Sequence, residues 1–446
     1  MTLTGGAFRK IGFMPIDAKL PQGLSRSFFL PVAEALGFGE SRRKCPVIED
    51  LDWIMAGTTR ALASVVSGRH FLQTIVEEVA SAWERTTYFE ALKSKRRLGL
   101  LREINEFVCR VTMRTVLPDR LAGIPGLDSY DVYAGDGHWH KHATHDPRRG
   151  RKGGKGEDKN HRIHVATGHV FGLNLRTRAV VHLAHCDEKT KIKEHDMGVL
   201  KRLDRDVLRQ GAAKGRKVIW IWDPAGISYT QWYKWKASAG IYFLSRPKTN
   251  MIINHVADRP WDKADPINVG VERDGLLTEG PQTPIRLVVF RDPATGKQYK
   301  FITNIMDLAP GVIAQLYRMR WDIEKIFDSF KNKLMETKAW AKTTVAKSMQ
   351  ANFMCLATNL ATLFEHQIEQ EHGVSNAPET KRRAQRREKE KTEVEENGKE
   401  LPILHQTLVR ATQTSVKFIR WLLCHLWKPT SWEAALKPLR RSYATL

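Results

Sequence analysis

Apolar residues recur every three or four positions through the first 115 residues, as in SFFLPVAEALGF and RLGLLREINEFVCRVTMRTVL. This period of about 3.6 residues predicts a helical N-terminal domain over residues 1–115. Basic clusters at Arg42–Lys44 and Lys95–Arg97 lie between the predicted helices. Such clusters suit docking on DNA phosphates, although any basic helical bundle would carry them. The pattern therefore predicts the helices and leaves DNA binding by this domain as a hypothesis.

Short apolar runs replace the helical spacing after residue 116. YDVYAGD ends in Asp136, residues 165–186 hold two runs around NLRTR, and KVIWIWD ends in Asp223. A helix over residues 194–211, a second helix at SYTQWYKWKASAG and a strand at IYFLSR complete the series. The order strand, hairpin, helix, strand, helix, strand fits an α/β sheet of the ribonuclease H type over residues 116–245. Its first and fourth strands are neighbours, so both aspartates should end at one edge of the sheet, although a lone strand-end aspartate is more often a cap.

The remaining chain divides by the same patterns. Residues 246–308 are predicted to form a β-rich insertion, with a hairpin around DPATGK, and the α/β core resumes over residues 309–375. There the run TTVAKSMQANFMCLATNLATLFEHQIEQ should form a helix behind the sheet. Residues 376–400 hold almost no apolar side chain and form a charged linker or a solvated helix. Residues 401–446 are predicted to be helical, with an aromatic face for core packing or for a partner.

The run from Val312 to Leu334 predicts one amphipathic helix. Asp307 could cap its start, and Pro310 suits its first turn. At about 100° per residue, four polar residues fall within an arc of roughly 60° beside the apolar face. These four residues are Tyr317, Arg320, Glu324 and Lys331. A solvated face with ion pairs would explain the polar stripe equally well.

Charge narrows the functional classes. The 446 residues include 72 Lys plus Arg against 49 Asp plus Glu, a net charge of +23, which favours a polyanion such as nucleic acid over a membrane surface. No apolar run is long enough to span a bilayer, and no signal-peptide core is present, which predicts a cytoplasmic protein. The five cysteines are scattered and are predicted to be reduced thiols. GRKGGKGE lacks the spacing of a P-loop, so ATP use is not implied.

A histidine-rich, basic segment follows Asp136 and is predicted to be a mobile loop. Its histidines are a candidate metal set, although no cysteine or acidic ligand completes it, and contact with DNA phosphate or solvation is the favoured interpretation. They are His138, His140, His142 and His145.

The spacing Tyr-x2-Arg-x3-Glu-x6-Lys at 317–331 resembles the signature of DDE transposases of bacterial insertion sequences, of the insertion-sequence-4 type. TNIMDL at 303–308 and the RW pair before the glutamate are similar to that family as well. The resemblance covers about residues 130–365. It implies a ribonuclease H-like catalytic core interrupted by a β-rich insertion, which closes over the active site and helps to hold the DNA end. DGHWHKH departs from the small, hydroxyl-rich sequence that usually follows the first aspartate.

The resemblance also implies the chemistry. Asp136, Asp223 and Glu324 would be the catalytic residues and would hold two Mg²⁺ or Mn²⁺ ions, which prefer oxygen ligands. Water and then the freed 3′-hydroxyl would attack phosphodiesters in double-stranded DNA, at inverted-repeat ends and then at the target. Other residues would hold the cut end: Tyr317, Arg320, Lys331 and, as an aromatic wedge, Trp261. For Trp261, packing within the insertion is the favoured interpretation and the wedge is the alternative.

Three hypotheses of function follow. The first is a cut-and-paste DNA transposase, cytoplasmic and associated with the bacterial nucleoid, that acts as a homodimer because two ends are cut together. The second is a catalytically inactive DNA-binding protein derived from a transposase, against which the three carboxylates speak. The third is a ribonuclease H-like nuclease without strand transfer.

Overall fold

A mixed β-sheet forms the centre of the molecule. The computed structural model describes residues 20, 22–37, 48–63, 67–74, 83–140, 167–186, 196–251, 253, 255–277, 284–334, 339–341, 343–407 and 415–444. The strands are β1 (Tyr130–His140), β2 (Thr167–Asn174), β3 (Val180–His185), β4 (Lys217–Ile221), β5 (Ile241–Ser245), β6 (His255–Asp258), β7 (Val271–Leu277), β8 (Arg286–Arg291) and β9 (Gln298–Thr303). Within the described part of the chain they lie in the order β3-β2-β1-β4-β5-β9-β8-β7-β6.

The first five strands follow the predicted order. β1 pairs in parallel with β4, β4 pairs in parallel with β5, and β2 runs antiparallel to both of its neighbours, β1 and β3. The predicted hairpin around NLRTR is confirmed as β2 and β3. β4 is buried along most of its length, which explains why its sequence is a continuous apolar run rather than an alternating one.

Two details of the predicted core are wrong. β1 continues past Asp136 to His140, because Asp136 and the residues after it remain paired with β2. The predicted single helix over 194–211 is two short helices. In the second of these the Asp204 carboxylate caps a new start by accepting a hydrogen bond from the Asp206 amide. The helices between β3 and β5 are α7 (Asp196–Lys201), α8 (Arg205–Leu208) and α9 (Tyr229–Ala239).

The described residues up to Val116 are mostly helical, as predicted. Their helices are α1 (Leu24–Gly37), α2 (Asp50–Leu62), α3 (Gly68–Thr74), α4 (Arg85–Ala91), α5 (Lys95–Phe107) and α6 (Met113–Val116), with a π-helical turn at Val108–Thr112. The predicted basic connection at Lys95–Arg97 is the first turn of α5. Arg96 forms a salt bridge with Asp50 at 2.7 Å, and buried Arg97 donates to the carbonyl of Ile48 at 2.7 Å. These two cations serve internal packing, and Arg42–Lys44 lies outside the described residues.

Residues 246–308 contribute four strands that extend the main sheet. β9 pairs antiparallel with β5, with Leu244 opposite Thr303, and β8, β7 and β6 follow outward. The predicted hairpin around DPATGK is confirmed as β8 and β9. These strands therefore continue the main sheet outward from β5 and do not form a separate sheet. The boundaries of the six predicted domains stay predictions.

The helical run after β9 is interrupted. It consists of α10 (Pro310–Met319), α11 (Asp322–Asp328), a π-helical turn at Ser329–Lys333 and, further on, α12 (Thr344–His372). The predicted continuous helix over 312–334 is wrong, because the α-helix breaks at Arg320–Trp321. α10 packs against β8 and β7, whereas α11 packs against β1 and β2, so the break lets one segment follow both halves of the sheet.

The start of α10 differs from the prediction in one respect. Pro310 occupies the first turn as predicted, but the capping position belongs to Ala309. Asp307 instead accepts hydrogen bonds from the Tyr130 hydroxyl at 2.7 Å and from the Lys217 ammonium at 3.3 Å. It ties the chain before α10 to the starts of β1 and β4, and it does not cap the helix.

α12 packs behind the sheet, as predicted. Its Asn359 side chain accepts from the Val180 amide at 2.8 Å and donates to the Val180 carbonyl at 2.9 Å. Because β3 is the outer strand on that side, this amide satisfies backbone groups that no further strand pairs with.

The C-terminal part is helical. Its helices are α13 (Ala377–Glu396), α14 (Ile403–Thr407), α15 (Val416–His425) and α16 (Trp432–Ala444). The charged segment 376–400 is thus the solvated helix of the two alternatives. Trp421 of α15 is buried and stacks on Phe364 of α12 with ring centroids 6.4 Å apart, which supports core packing for the aromatic face.

Two further findings concern the described residues. Cys109, Cys186, Cys355 and Cys424 are free thiols, as predicted, and the first three are buried. None of the described helices is both long and apolar enough to cross a membrane.

Candidate active site

Strand register places Asp136 and Asp223 level with each other. β1 and β4 pair from Tyr130 opposite Lys217 to Ala134 opposite Ile221, and each aspartate stands two residues beyond that last pair. The Asp136 carboxylate accepts from the Gly137 amide at 2.8 Å. The prediction that the two residues lie on neighbouring strands is confirmed by this register, whereas the prediction that both end their strands is wrong for Asp136, because β1 continues to His140. Their catalytic role stays a prediction.

The strands carrying the two aspartates approach each other closely. A Cβ atom on Gly135 would lie 2.4 Å from the ring of Trp222, the residue that precedes Asp223. Trp222 is itself buried and stacks on Trp220, with centroids 5.3 Å apart. Glycine at position 135 therefore leaves space for the Trp222 indole beside the two aspartates, and any larger residue at this position would displace the indole.

Arg320 joins the strand end to the signature segment. Its guanidinium donates to Asp136 Oδ2 at 3.3 Å and to Glu324 Oε1 at 3.2 Å. The arginine side chain is 9% exposed, whereas Asp136 is 23% and Glu324 is 39% exposed. One cation thus bridges two of the three predicted catalytic carboxylates, and both carboxylates keep a face toward solvent.

Asp223 and Tyr317 belong to the same electrostatic environment. Burial raises the pKa of the Tyr317 phenol above its usual value, and Asp223 adds to the increase, while Arg320 and Arg246 oppose it. Tyr317 is buried, with its ring 5.1 Å from that of Phe301 in β9. Like any tyrosine, this phenol is protonated at neutral pH, and the raised pKa extends its capacity to donate a hydrogen bond further into the alkaline range. Asp223 also has a local role, because its carboxylate accepts from the Ala225 amide at 3.0 Å in the turn that follows β4.

Two predicted residues stand apart from these contacts. Lys331 is exposed on the π-helical turn Ser329–Lys333. Trp261 is half-buried against the hydrophobic core, and the Lys263 ammonium lies 5.8 Å from its ring centroid. The predicted polar stripe of about 60° requires one regular helix over residues 317–331. The break at residue 320 and the π-helical turn interrupt that helix, so the four side chains do not share one face in the predicted way. The roles of Lys331 and Trp261 stay predictions.

Arg246 is a site residue that the sequence reasoning missed. β5 pairs with β4 from Ile241 opposite Val218 to Leu244 opposite Ile221, so Arg246 stands level with Asp223. Its guanidinium carbon lies 5.5 Å from the Tyr299 ring centroid. The sequence carries a signal for it, because IYFLSR places a cation directly after a buried strand.

Asp322 has a structural position, although it is close to Glu324 in sequence. It is fully buried and forms salt bridges with Arg120 at 3.4 Å and Lys325 at 3.0 Å. Asp328, in contrast, is half-buried and accepts from the Asn332 side-chain amide at 2.5 Å. Of these two aspartates, Asp328 is therefore the suitable control position for substitutions of Glu324, because its replacement should not disturb folding.

The first histidine of the predicted loop belongs to a strand. His138 lies within β1, is buried and stacks on Phe327 of α11 with centroids 5.0 Å apart, so contact with phosphate from a loop is wrong for this residue. His140 ends β1. The side chain of His140, together with His142 and His145, lies outside the described residues.

The donor chemistry at this edge suits a divalent cation. In the part of the chain that the structure describes, no three His, Cys, Asp or Glu side chains stand close enough together to hold a metal ion. The guanidinium of Arg320 lies between Asp136 and Glu324 and neutralises them there. Carboxylate oxygens are nevertheless the ligands that Mg²⁺ and Mn²⁺ prefer, and both carboxylates are open to solvent. Asp136 and Glu324 supply such oxygens, and the guanidinium of Arg320 occupies the space between them.

Comparison with known proteins agrees with this geometry. A mixed α/β sheet with carboxylates carried by two neighbouring strands is consistent with the ribonuclease H-like core of DDE transposases. The family model for the transposase DDE domain matches residues 129–360, more than half of the chain, and the chain belongs to this family. No curated protein matches the sequence. Membership of the family supports transposase activity and implies DNA as the partner.

Proposed function

We propose that this protein is a cut-and-paste DNA transposase of the insertion-sequence-4 type, which cleaves double-stranded DNA at the ends of its element and joins them to a target. The observation that carries the proposal is the bridge made by Arg320 between Asp136 and Glu324. It brings the signature segment to β1, beside the end of β4 that leads to Asp223. A protein that only binds DNA has no need of carboxylates directed toward phosphates, which they repel.

In this proposal Asp136, Asp223 and Glu324 hold Mg²⁺ or Mn²⁺ at the sheet edge. Two such ions would activate the attacking oxygen and stabilise the leaving oxygen of the phosphodiester. The chain itself supplies the surrounding charge. Before DNA binds, Arg320 balances two of the carboxylates, so the site does not carry three uncompensated negative charges.

Cations and one phenol position the DNA end in this proposal. Arg246 stands level with Asp223 at the end of β5, and Arg320 and Lys331 belong to the signature segment. Guanidinium groups pair well with phosphate oxygens through parallel hydrogen bonds. The protonated Tyr317 phenol donates one further hydrogen bond. Trp261 is proposed as the aromatic wedge of the insertion, and a homodimer as the form that cuts two ends together.

The test uses DNA that carries the ends of the protein's own element, identified as inverted repeats that flank its gene. Incubation with Mg²⁺ or Mn²⁺ should yield cleaved ends and, when target DNA is added, joined products. Both reactions should stop in EDTA. Cleavage without joining would favour the nuclease hypothesis, and binding without cleavage in either metal would favour the inactive DNA-binding protein.

A further inference from the structure

Helix α13 is divided into halves of opposite charge. Residues 377–387 hold five cations and one carboxylate, whereas residues 388–396 hold five glutamates and two lysines. A solvated helix without a partner gains from charges of both signs that alternate along its length. The separation of charge in α13 therefore indicates that its two halves have different surroundings.

The acidic half is anchored to the rest of the molecule. Val394 is buried, and Glu390 forms an ion pair with His405 of α14 at 3.3 Å. Lys389 and Lys391 each face a glutamate four residues on, at 3.6 and 3.8 Å. α14 in turn packs against α10 of the signature segment. This half of α13 is thus docked and internally paired.

The basic half directs its charge outward. Lys381, Arg382, Arg386 and Arg387 are exposed, while Arg383 is drawn to Glu379 at 2.8 Å. At about 100° per residue, the four arginines fall within an arc of roughly 140°. Arg382 and Arg386 are four residues apart, and like charges at this spacing destabilise a helix. The helix carries this repulsion, and a polyanion lying along the arc would remove it.

We propose that the basic half of α13, residues 381–387, binds the phosphate backbone of duplex DNA without reading its sequence, through residues other than those predicted to hold the metal. DNA presents about one negative charge per 1.7 Å of its axis, a density that the clustered arginines match. Arginine also suits phosphate oxygens better than lysine does, because its planar fork forms paired hydrogen bonds. Contacts to phosphate carry no sequence information, so the surface fits target or flanking DNA. The inference rests on the proposed function for the identity of its ligand.

The experiment compares two double variants that change the charge of the same helix equally. R382Q/R386Q removes two outward arginines, and K389Q/K391Q removes the two lysines that are paired with glutamates. The affinity of the full-length protein for a duplex of unrelated sequence is measured by fluorescence anisotropy in EDTA over a series of salt concentrations. Thermal unfolding of both variants is measured alongside.

The logarithmic salt slope of R382Q/R386Q should be smaller in magnitude than that of the unmodified protein by about 1.8, which is roughly 0.9 for each lost phosphate contact. Its affinity near physiological salt should fall roughly tenfold or more. K389Q/K391Q should keep the original slope. The melting temperature of R382Q/R386Q should stay equal or rise, because a like-charge pair has been removed.

Equal salt slopes and affinities for the two variants would overturn the proposal. So would weakened binding to an acidic polypeptide with unchanged binding to the duplex, which would assign the surface to a protein partner. Cleavage of short end fragments should be normal in R382Q/R386Q. Because the binding assay needs no chemistry, absence of cleavage by the unmodified protein would count against the proposed function and leave this result intact.

Discussion

Replacement of Arg320 by alanine should change two kinds of binding in opposite directions. The guanidinium lies between Asp136 and Glu324, where a divalent cation would also bind, and it is proposed to hold the DNA end as well. Without it, Mn²⁺ should bind more tightly, because no competing cation remains, while the DNA end should bind more weakly.

The contacts set the size of both effects. A hydrogen bond to a charged group contributes about 1.5–3 kcal/mol when it is short and buried. Here the distances of 3.3 and 3.2 Å are long, and the carboxylates are 23% and 39% exposed, so both contacts are weakened by solvent. We therefore assign about 1–2 kcal/mol to the bridge as a whole. Its removal should tighten Mn²⁺ binding by roughly tenfold, since about 1.4 kcal/mol corresponds to that factor.

Mn²⁺ affinity is measured by electron paramagnetic resonance on the DNA-free protein, and end binding by gel shift in EDTA. Arg320→Lys keeps the charge but cannot bridge both carboxylates, so its Mn²⁺ affinity should lie between the two extremes. Lys300→Ala, an exposed cation of β9, serves as the control and should change neither quantity. Unchanged or weaker Mn²⁺ binding in Arg320→Ala would refute the idea that arginine and metal compete for one place.

Three further predictions follow from the contacts around the site. Gly135→Ala should cost about 1–3 kcal/mol of stability and reduce cleavage, because the new methyl group displaces the Trp222 ring; thermal unfolding and cleavage assays check this. Asp322→Asn should cost about 2–4 kcal/mol in denaturant unfolding, because it removes the buried charge that pairs with Arg120 and Lys325, whereas Asp328→Asn should cost little. Tyr317→Phe should weaken end binding by the same factor at pH 7 and pH 9, because the phenol of the unmodified protein is protonated at both values. The raised pKa of Tyr317 contributes to the stability of the folded protein below pH 10, and this contribution is lost as the pH rises through the raised value.

Much of the sheet could be predicted from local pattern. β4 is buried, so its sequence is a short continuous run of large apolar residues, and the turns on either side of it are marked by glycine and proline. The hairpins at β2–β3 and β8–β9 carried their own turn signals. In each case the information lies within about ten residues of sequence, which is why periodicity was sufficient.

The break at Arg320–Trp321 could not be predicted in this way. Apolar residues on both sides keep helical spacing, and neither glycine nor proline marks the interruption. The cause lies in tertiary contacts, because α10 follows the strands after β5 while α11 follows β1 and β2. The extension of the sheet by β9 was missed for the same reason, since pairing at an outer strand is not encoded locally.

Individual polar residues were the least predictable part of the site. The charged and glycine residues that follow His138 predict a basic loop, yet two phenylalanines of the signature segment pack against its ring. Arg246 was missed, although it stands level with Asp223. Whether a polar residue is buried or exposed depends on which distant elements pack against it. The spacing of residues along the chain does not carry that information.

The central claim is that Asp136, Asp223 and Glu324 act together in metal-dependent DNA cleavage, and three isosteric variants test it most directly. Asp136→Asn, Asp223→Asn and Glu324→Gln are assayed for cleavage of the element's own ends in Mg²⁺, with Asp328→Asn as the control. Each of the three should lose cleavage by on the order of a thousandfold or more while its melting temperature and end binding persist. Normal cleavage by any one of them, with the control also normal, would contradict the shared role of the three carboxylates.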